Sequence, residues 1–216
     1  GFNTIYCTLN TNMKNPQQHV SNRFKGHYQE GYFPWDIRRP DFNLIKTIKE
    51  KGINSCKVLE IGCGTGDNAI WLAQQNFQIT GIDVSEIAIT EARIRASKVG
   101  AKCNFITGNF FLDEIKEAPF EFVFDRGCFH SFDSDEERKA YAQKVSSLLG
   151  KEGLWLSLIG CADKPHNESG PPLRTAKDIV MAVEPYFMIL SLTASYFFSN
   201  KPEPPMAWIC LMQKRK

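Results

Sequence analysis

The chain has 216 residues, enough for one α/β domain with a proper buried core. Its 26 basic and 24 acidic residues leave a net charge of +2 and are mixed along the chain, so there is no electrostatic case for nucleic acid or an anionic membrane surface. Seven cysteines, odd in number and without a C-x-x-C pair, argue against a disulfide framework and a zinc site, and a reducing cytosol is the expected compartment.

No apolar run approaches the length of a membrane span, and the first residues lack the basic and apolar regions of a signal peptide. The chain opens at Gly1 rather than Met, which leaves its natural start open. Residues 1–22 are polar, rich in Asn, Gln and Thr, and are expected to be partly disordered. The remaining chain, 23–216, reads as one domain. Its first part, 23–42, crowds Tyr28, Tyr32, Phe33, Trp35 and Phe42 among Gly31, Pro34 and Pro40, and such a segment must pack on the domain or cover a ligand. From Pro40 to Lys51 the apolar residues Phe42, Leu44, Ile45 and Ile48 fall near one face of a helix that Gly52 stops.

Strands and helices then alternate. Val58, Leu59 and Ile61 read as a short buried strand, followed by a helix over Ala69–Gln75 and a strand over Phe77–Ile82 that ends in Asp83. Ser85 is a good N-cap for a helix over Glu86–Val99, and Gly100 ends it. Further strands are expected over Cys103–Thr107, Phe120–Phe124 and Leu154–Ile159, with a helix over Asp135–Leu149. Phe120–Phe124 is apolar at nearly every position, as a central parallel strand is. Residues 160–174 form a loop long enough to be a functional rim. After a short helix over Thr175–Glu184, the runs Phe187–Phe198 and Ala207–Gln213 are most simply an antiparallel ribbon at one edge of a mostly parallel sheet.

The chain is organised around Val58-Leu59-Glu60-Ile61-Gly62-Cys63-Gly64-Thr65-Gly66. Glycines at a strand's end let backbone approach a ligand. A dinucleotide loop reads G-x-G-x-x-G and brings amides to a pyrophosphate. Here the third glycine comes one position early, and Asp67 and Asn68 open the helix. An acid at that point opposes a phosphate anion, so the loop suits a nucleoside without phosphates. Asp83 follows about 20 residues after the loop, where a Rossmann-like site places the carboxylate that holds ribose hydroxyls.

This stretch resembles the first motif of the class I S-adenosylmethionine-dependent methyltransferases. The resemblance covers about residues 23–213 and implies a Rossmann-like, seven-stranded, mostly parallel sheet with helices on both faces. It implies S-adenosylmethionine as cofactor, with Glu60, Gly62, Cys63 and Gly64 near its amino acid end, Asp83 at the ribose, and Val84, Asn109 and Phe110 around the adenine. Glu60 has the alternative of only bracing the loop. Many family members carry Asp where Asn109 stands, and Asn109 has the alternative of an Asx turn. One of Phe110 and Phe111 is expected in the core.

The run Phe122-Val123-Phe124-Asp125-Arg126-Gly127 resembles the branch containing thiopurine S-methyltransferases, which share Asp-Arg-Gly at this point. In that branch the arginine lies where cofactor and substrate meet. Asp125 and Arg126 are therefore the catalytic candidates, with Arg126 and Trp35 also touching the cofactor and Trp35 and Phe42 as an aromatic lid. An arginine here orients an anionic acceptor or stabilises a thiolate-like nucleophile. Its alternative is a salt bridge to a nearby acid. His130 and Cys128 follow in a turn beside aromatics, where packing is the commoner role, and His19, His27 and His166 show no metal spacing.

Methyl transfer from a sulfonium needs mainly in-line positioning, so the lack of a catalytic dyad fits such an enzyme. The resulting expectation is a small-molecule methyltransferase acting on a thiol or another soft nucleophile. An N- or O-methyltransferase on the same fold, and a nucleoside- or NAD-binding oxidoreductase or binding module, are the alternatives. No metal is expected.

Overall fold

The computed structural model describes residues 36–163 and 172–216. Its elements are, in order, α1 (Phe42–Lys51), β1 (Lys57–Ile61), α2 (Asp67–Gln74), β2 (Gln78–Asp83), α3 (Glu86–Lys98), β3 (Asn104–Thr107) and β4 (Phe120–Arg126). A 3-10 turn (Phe129–Ser131), α4 (Asp135–Leu148), β5 (Leu149–Gly160), α5 (Ala176–Val183), β6 (Phe187–Tyr196) and β7 (Met206–Lys214) follow. The expectations for residues 1–22, for Trp35 and the aromatics before it, and for the middle of the 160–174 loop lie outside the described residues.

Among the described residues the strands form one seven-stranded sheet in the order β3-β2-β1-β4-β5-β7-β6. The first five strands pair in parallel, and β7 pairs antiparallel with both β5 and β6. The closing ribbon thus lies at one edge, with β7 inside and β6 outermost. The order reverses direction at β1 and β4, and a crevice at such a switch point is where open α/β sheets bind ligands.

Strand β4 shows why the sheet has two covered faces. Phe122 and Phe124 enter one apolar cluster with Leu44 of α1, Leu72 of α2 and Ile89 of α3. Val123 enters the other with Tyr141 and Val145 of α4 and Ile179 of α5. Successive side chains alternate faces, so a strand buried on both sides must be apolar throughout. Each fully buried Leu, Ile or Phe contributes about 1.5–3 kcal/mol relative to exposure.

Most helix ends follow local chemistry. The Asp41 carboxylate caps α1 by accepting from the Asn43 amide, and Gly52 ends the helix at φ 60°. Ser85 caps α3, and Ser134 and Thr175 each form a reciprocal capping box with the residue three positions on. Two strands run longer than their sequence suggests. Strand β4 continues through Asp125 and Arg126 because these pair with Ser157 and Leu158. Strand β5 begins at Leu149, five residues early, because Leu149 pairs with Phe120 ahead of an irregular stretch in which Glu152 has φ 61°. This longer β4 carries Arg126 out to the mouth of the crevice.

Candidate active site

The glycine loop leaves β1 and turns back over β2. The Gly62 and Cys63 amides both donate to the Ile82 carbonyl, at 2.8 and 3.2 Å. The Gly64 amide donates to Asp83 Oδ2 at 2.9 Å, and the Gly66 amide to the Cys63 carbonyl at 3.0 Å. These four amides are spent within the fold, so they do not form the anion cradle of a phosphate loop. Gly62, Gly64 and Gly66 all have positive φ, and at Gly66 a Cβ would lie 3.0 Å from Ala92 and the Phe105 ring. Cys63 turns its thiol into the sheet against Gly81 and offers the loop only its backbone.

Acids surround the loop instead. Glu60 is buried; its Oε1 accepts from the Asn68 amide at 3.0 Å, and its Oε2 has no hydrogen-bond partner. Burial pushes its carboxyl up to about 8, with the Asn68 amide partly opposing. Asp83 accepts from the Ser85 amide through Oδ1 at 2.9 Å, and burial pushes its carboxyl up as well. Each carboxylate oxygen has two lone pairs, so Asp83 retains acceptors beyond these two contacts. Asp67 is raised to about 7 by burial and by neighbouring Asp36, against the pull of Arg95. The donor set fits a cationic nucleoside such as S-adenosylmethionine: spent amides, an orphaned buried carboxylate oxygen, and a ribose-type acid at the end of β2. It does not fit the pyrophosphate of NAD. Val84 stands half-buried beside Asp83.

The third strand end is arranged differently from the sequence expectation. Asn109 Oδ1 accepts from the Phe111 and Leu112 amides, at 2.9 and 3.2 Å, which is the Asx-type alternative. Phe110, expected over the adenine, is a correction: it is 1% exposed and packs on Phe111 and Tyr141, because the turn after β3 sends it under the sheet. Phe111 is the less buried of the two.

The β4 end holds Arg126. Its Nε donates to Asp41 Oδ2 at 2.9 Å, and its Nη2 donates to the Phe198 carbonyl at 2.7 Å. Its guanidinium carbon lies 5.2 Å from the centre of the Phe197 ring. The salt-bridge alternative is thus realised, and it also orients the guanidinium at the mouth of the crevice. Arg39 stacks on the Phe198 ring at 4.3 Å, and Phe42 meets the same ring edge-on at 6.1 Å. Arginines and aromatics from both ends of the chain share one wall.

Asp125 corrects the other catalytic expectation. It is fully buried, and it accepts from Trp155 Nε1 at 2.8 Å and from the Cys128 and Phe129 amides at 3.2 and 3.1 Å. It anchors the turn after β4 and aims Arg126 without facing the crevice. His130 is buried, and its Nδ1 accepts the Gly160 amide at 2.8 Å. Burial pushes the Cys128 thiol far above its ordinary value, so it stays protonated. Among the described residues no group of three His, Cys, Asp or Glu side chains is placed to hold a metal ion.

Three contributors carry no local signal. Asp41 precedes a helix like any capping residue, yet it receives Arg126 from 85 positions away. Phe197 and Phe198 sit where the sequence shows only the end of a strand. Arg95 of α3 reaches Asp36 with both terminal nitrogens, at 3.1 and 2.7 Å, and also Thr65 and Asp67 at 3.0 and 3.2 Å, tying the segment before α1 to the glycine loop.

The Thiopurine S-methyltransferase family model matches residues 19–202. The chain belongs to this family. It is an S-adenosylmethionine-dependent methyltransferase. A probable thiol methyltransferase 2 of Arabidopsis thaliana is 26% identical over 157 residues, covering 72% of this chain and 68% of that protein. Thiocyanate methyltransferase 1 of Brassica oleracea is 26% identical over 151 residues, covering 69% of this chain and 65% of that protein. Among solved structures, one from work on the conversion of a disulfide bond into a thioacetal group during echinomycin biosynthesis has a TM-score of 0.77 at 24% identity, covering 91% of this chain and 92% of that one. A Burkholderia thailandensis 1,6-didemethyltoxoflavin-N1-methyltransferase has a TM-score of 0.74 at 17% identity, covering 94% of this chain and 92% of that one. These two likenesses concern the fold.

Proposed function

We propose that this methyltransferase acts on a small thiol or a similarly soft anionic nucleophile. The observation that carries the reading is the wall at the β4 end, where the Arg126 guanidinium faces Phe197 and Arg39 covers Phe198. Cations on aromatic faces, at the mouth of the cofactor crevice, favour an acceptor that is negative and polarisable. The names of the plant relatives, a thiol and a thiocyanate methyltransferase, agree with it.

The cofactor, when bound, supplies an electrophilic methyl group on a sulfonium that leaves as a neutral sulfide. Glu60 and the acids near it favour its positive charge, and Asp83 holds the ribose through its remaining lone pairs. Arg126 lowers the energy of the acceptor's anion and holds it near the loop, and positioning of this kind supplies most of the rate. Asp41, Asp125 and His130, the groups near Arg126 able to take a proton, are engaged within the fold. The acceptor therefore arrives ionised or loses its proton to solvent, which a thiol does near neutral pH.

The wider assignment has three parts. The acceptor is a small molecule and not a nucleic acid, in keeping with the balanced charge. Phe42, edge-on to the Phe198 ring at the start of α1, covers the acceptor. The compartment is the reducing cytosol, supported by the free state of all six cysteines among the described residues. No helix among those residues is long and apolar enough to cross a membrane.

The test is a panel of hydrosulfide, aromatic thiols, amines and phenols with S-adenosylmethionine, read by mass spectrometry of the methylated products. Thiols should turn over, at a rate that drops with Arg126→Ala. Methylation of amines or phenols with thiols untouched would overturn the proposal.

A further inference from the structure

A line of buried hydrogen bonds joins the two halves of the site. Arg126 Nε donates to Asp41 Oδ2. The Asp41 amide donates to Asn68 Oδ1 at 2.9 Å, and Asn68 Nδ2 donates to Glu60 Oε1 at 3.0 Å. Asp41 and Glu60 are 0% and 1% exposed, and Asn68 is 9% exposed. The orientation of the Asn68 amide follows from its neighbours. A backbone N–H can only donate, so Asn68 must present oxygen to Asp41 and therefore its NH2 to Glu60.

Asn68 is the side chain that bridges Asp41 and Glu60 in this line. It stands in the first turn of α2, directly after the glycine loop, and Glu60 beyond it has an orphaned oxygen. On the other side, Asp41 is held by four donors: Arg126, the Phe198 amide at 3.0 Å, and the amide and side chain of Asn43 at 2.9 and 2.8 Å. Asp41 therefore cannot move without moving Arg126 and the Phe197–Phe198 wall.

We infer that Asn68 is a positioning residue that couples cofactor binding at Glu60 to the placement of Arg126. A cation at Glu60 draws the carboxylate toward it, and the Asn68 amide transmits that pull to the Asp41 backbone and so to the guanidinium. Buried hydrogen bonds polarise one another in series, and the low dielectric makes each worth more than in water. By linkage the effect is reciprocal, so a correctly held Arg126 tightens cofactor binding. The inference rests on the acceptor-side role proposed for Arg126, but its test needs no acceptor.

The test is a double-mutant cycle read by calorimetry with S-adenosylhomocysteine. Wild type, Asn68→Ala, Arg126→Ala and the double variant are compared, each checked for folding by thermal melting. Coupling predicts that the two substitutions are not multiplicative in affinity, with a discrepancy of about fivefold or more. Effects that multiply to within less than about fivefold would overturn the inference, even if both variants melt earlier.

Asn68→Asp supplies a second reading for the case in which the alanine variants fail to fold. It keeps the oxygen for the Asp41 amide but sets a second carboxyl against Glu60. The pH at which S-adenosylhomocysteine affinity reaches its plateau should then rise by about one unit. An unchanged pH profile would show that residue 68 does not act on Glu60 and would overturn the inference at its first link. Failure of the thiol panel with non-multiplicative affinities would overturn the acceptor assignment alone.

Discussion

The two halves of the crevice are built in opposite ways. The cofactor half is local: Glu60, the glycine loop, Asn68 and Asp83 come from one strand-loop-helix-strand unit, and the hydrogen bonds within it, such as Asn68 with Glu60 and Gly64 with Asp83, join residues no more than 20 positions apart. The acceptor half is assembled from afar, with Arg126 meeting Asp41 across 85 positions and the Phe198 amide meeting Asp41 across 157. The cofactor half is also acidic, whereas the acceptor half carries arginines on aromatic rings. A local unit can be read from a motif, and the motif is the same for any acceptor. A non-local one follows the packing of the chain's ends, and that is where the proposed acceptor contacts lie.

Substitutions at each half should separate these roles. The largest effect is expected at Arg126→Ala, which removes the guanidinium proposed to hold the acceptor and leaves the fully buried Asp41 carboxylate without its charged partner. Turnover of thiols should fall about a thousandfold, and stability by about 3 kcal/mol, measured by steady-state rates and denaturant melts. Loss of cofactor affinity in step with turnover would show that the halves are not distinct.

Asp83→Ala should weaken S-adenosylhomocysteine binding about a hundredfold in calorimetry, through lost charge-assisted hydrogen bonds and a loosened Gly64. Thiol turnover at saturating cofactor should change far less.

The buried acids predict a pH signature that is strongest in the cofactor half. Burial raises Glu60 to about 8 and Asp67 to about 7 there, and Asp125 at the β4 end to about 6, in the folded chain. Each therefore binds its proton more tightly folded than unfolded. The stability they contribute is complete below about pH 4 and is lost as pH rises through those values. Asp36, held low by Arg95 although burial opposes it, has the opposite sign and loses its contribution as pH falls through its lowered value. Melts of the cofactor-free protein should show stability declining from pH 5 to 8, less steeply in Glu60→Gln. Affinity for the cationic cofactor should rise up to about tenfold per pH unit until about pH 8, and Glu60→Gln should flatten that rise.

Two smaller effects complete the contrast. Gly66→Ala should cost about 2 kcal/mol, because its φ of 89° disfavours a side chain and the new Cβ would press on Ala92 and Phe105. Phe42→Ala removes a ring that is 41% exposed, so stability should change by about 1 kcal/mol or less. Its KM for thiols should rise several-fold while cofactor affinity holds.

By itself the sequence determined the alternation of strands and helices, the two covered faces of the sheet, the phosphate-free loop and the acids Glu60 and Asp83. These follow from residue periodicity and from chemistry within about 20 positions, where spacing along the chain is nearly spacing in space. It also marked Arg126, through the Asp-Arg-Gly at a strand end. Only the tertiary structure decided what that arginine touches, that Asp125 faces inward, that Phe110 is core and that Asn109 closes a turn. A side chain's direction at a strand end depends on which loop covers it, and no local pattern records that. Asp41, Asn68, Arg95 and the Phe197–Phe198 wall became functional candidates only when the sheet brought distant segments together at the crevice.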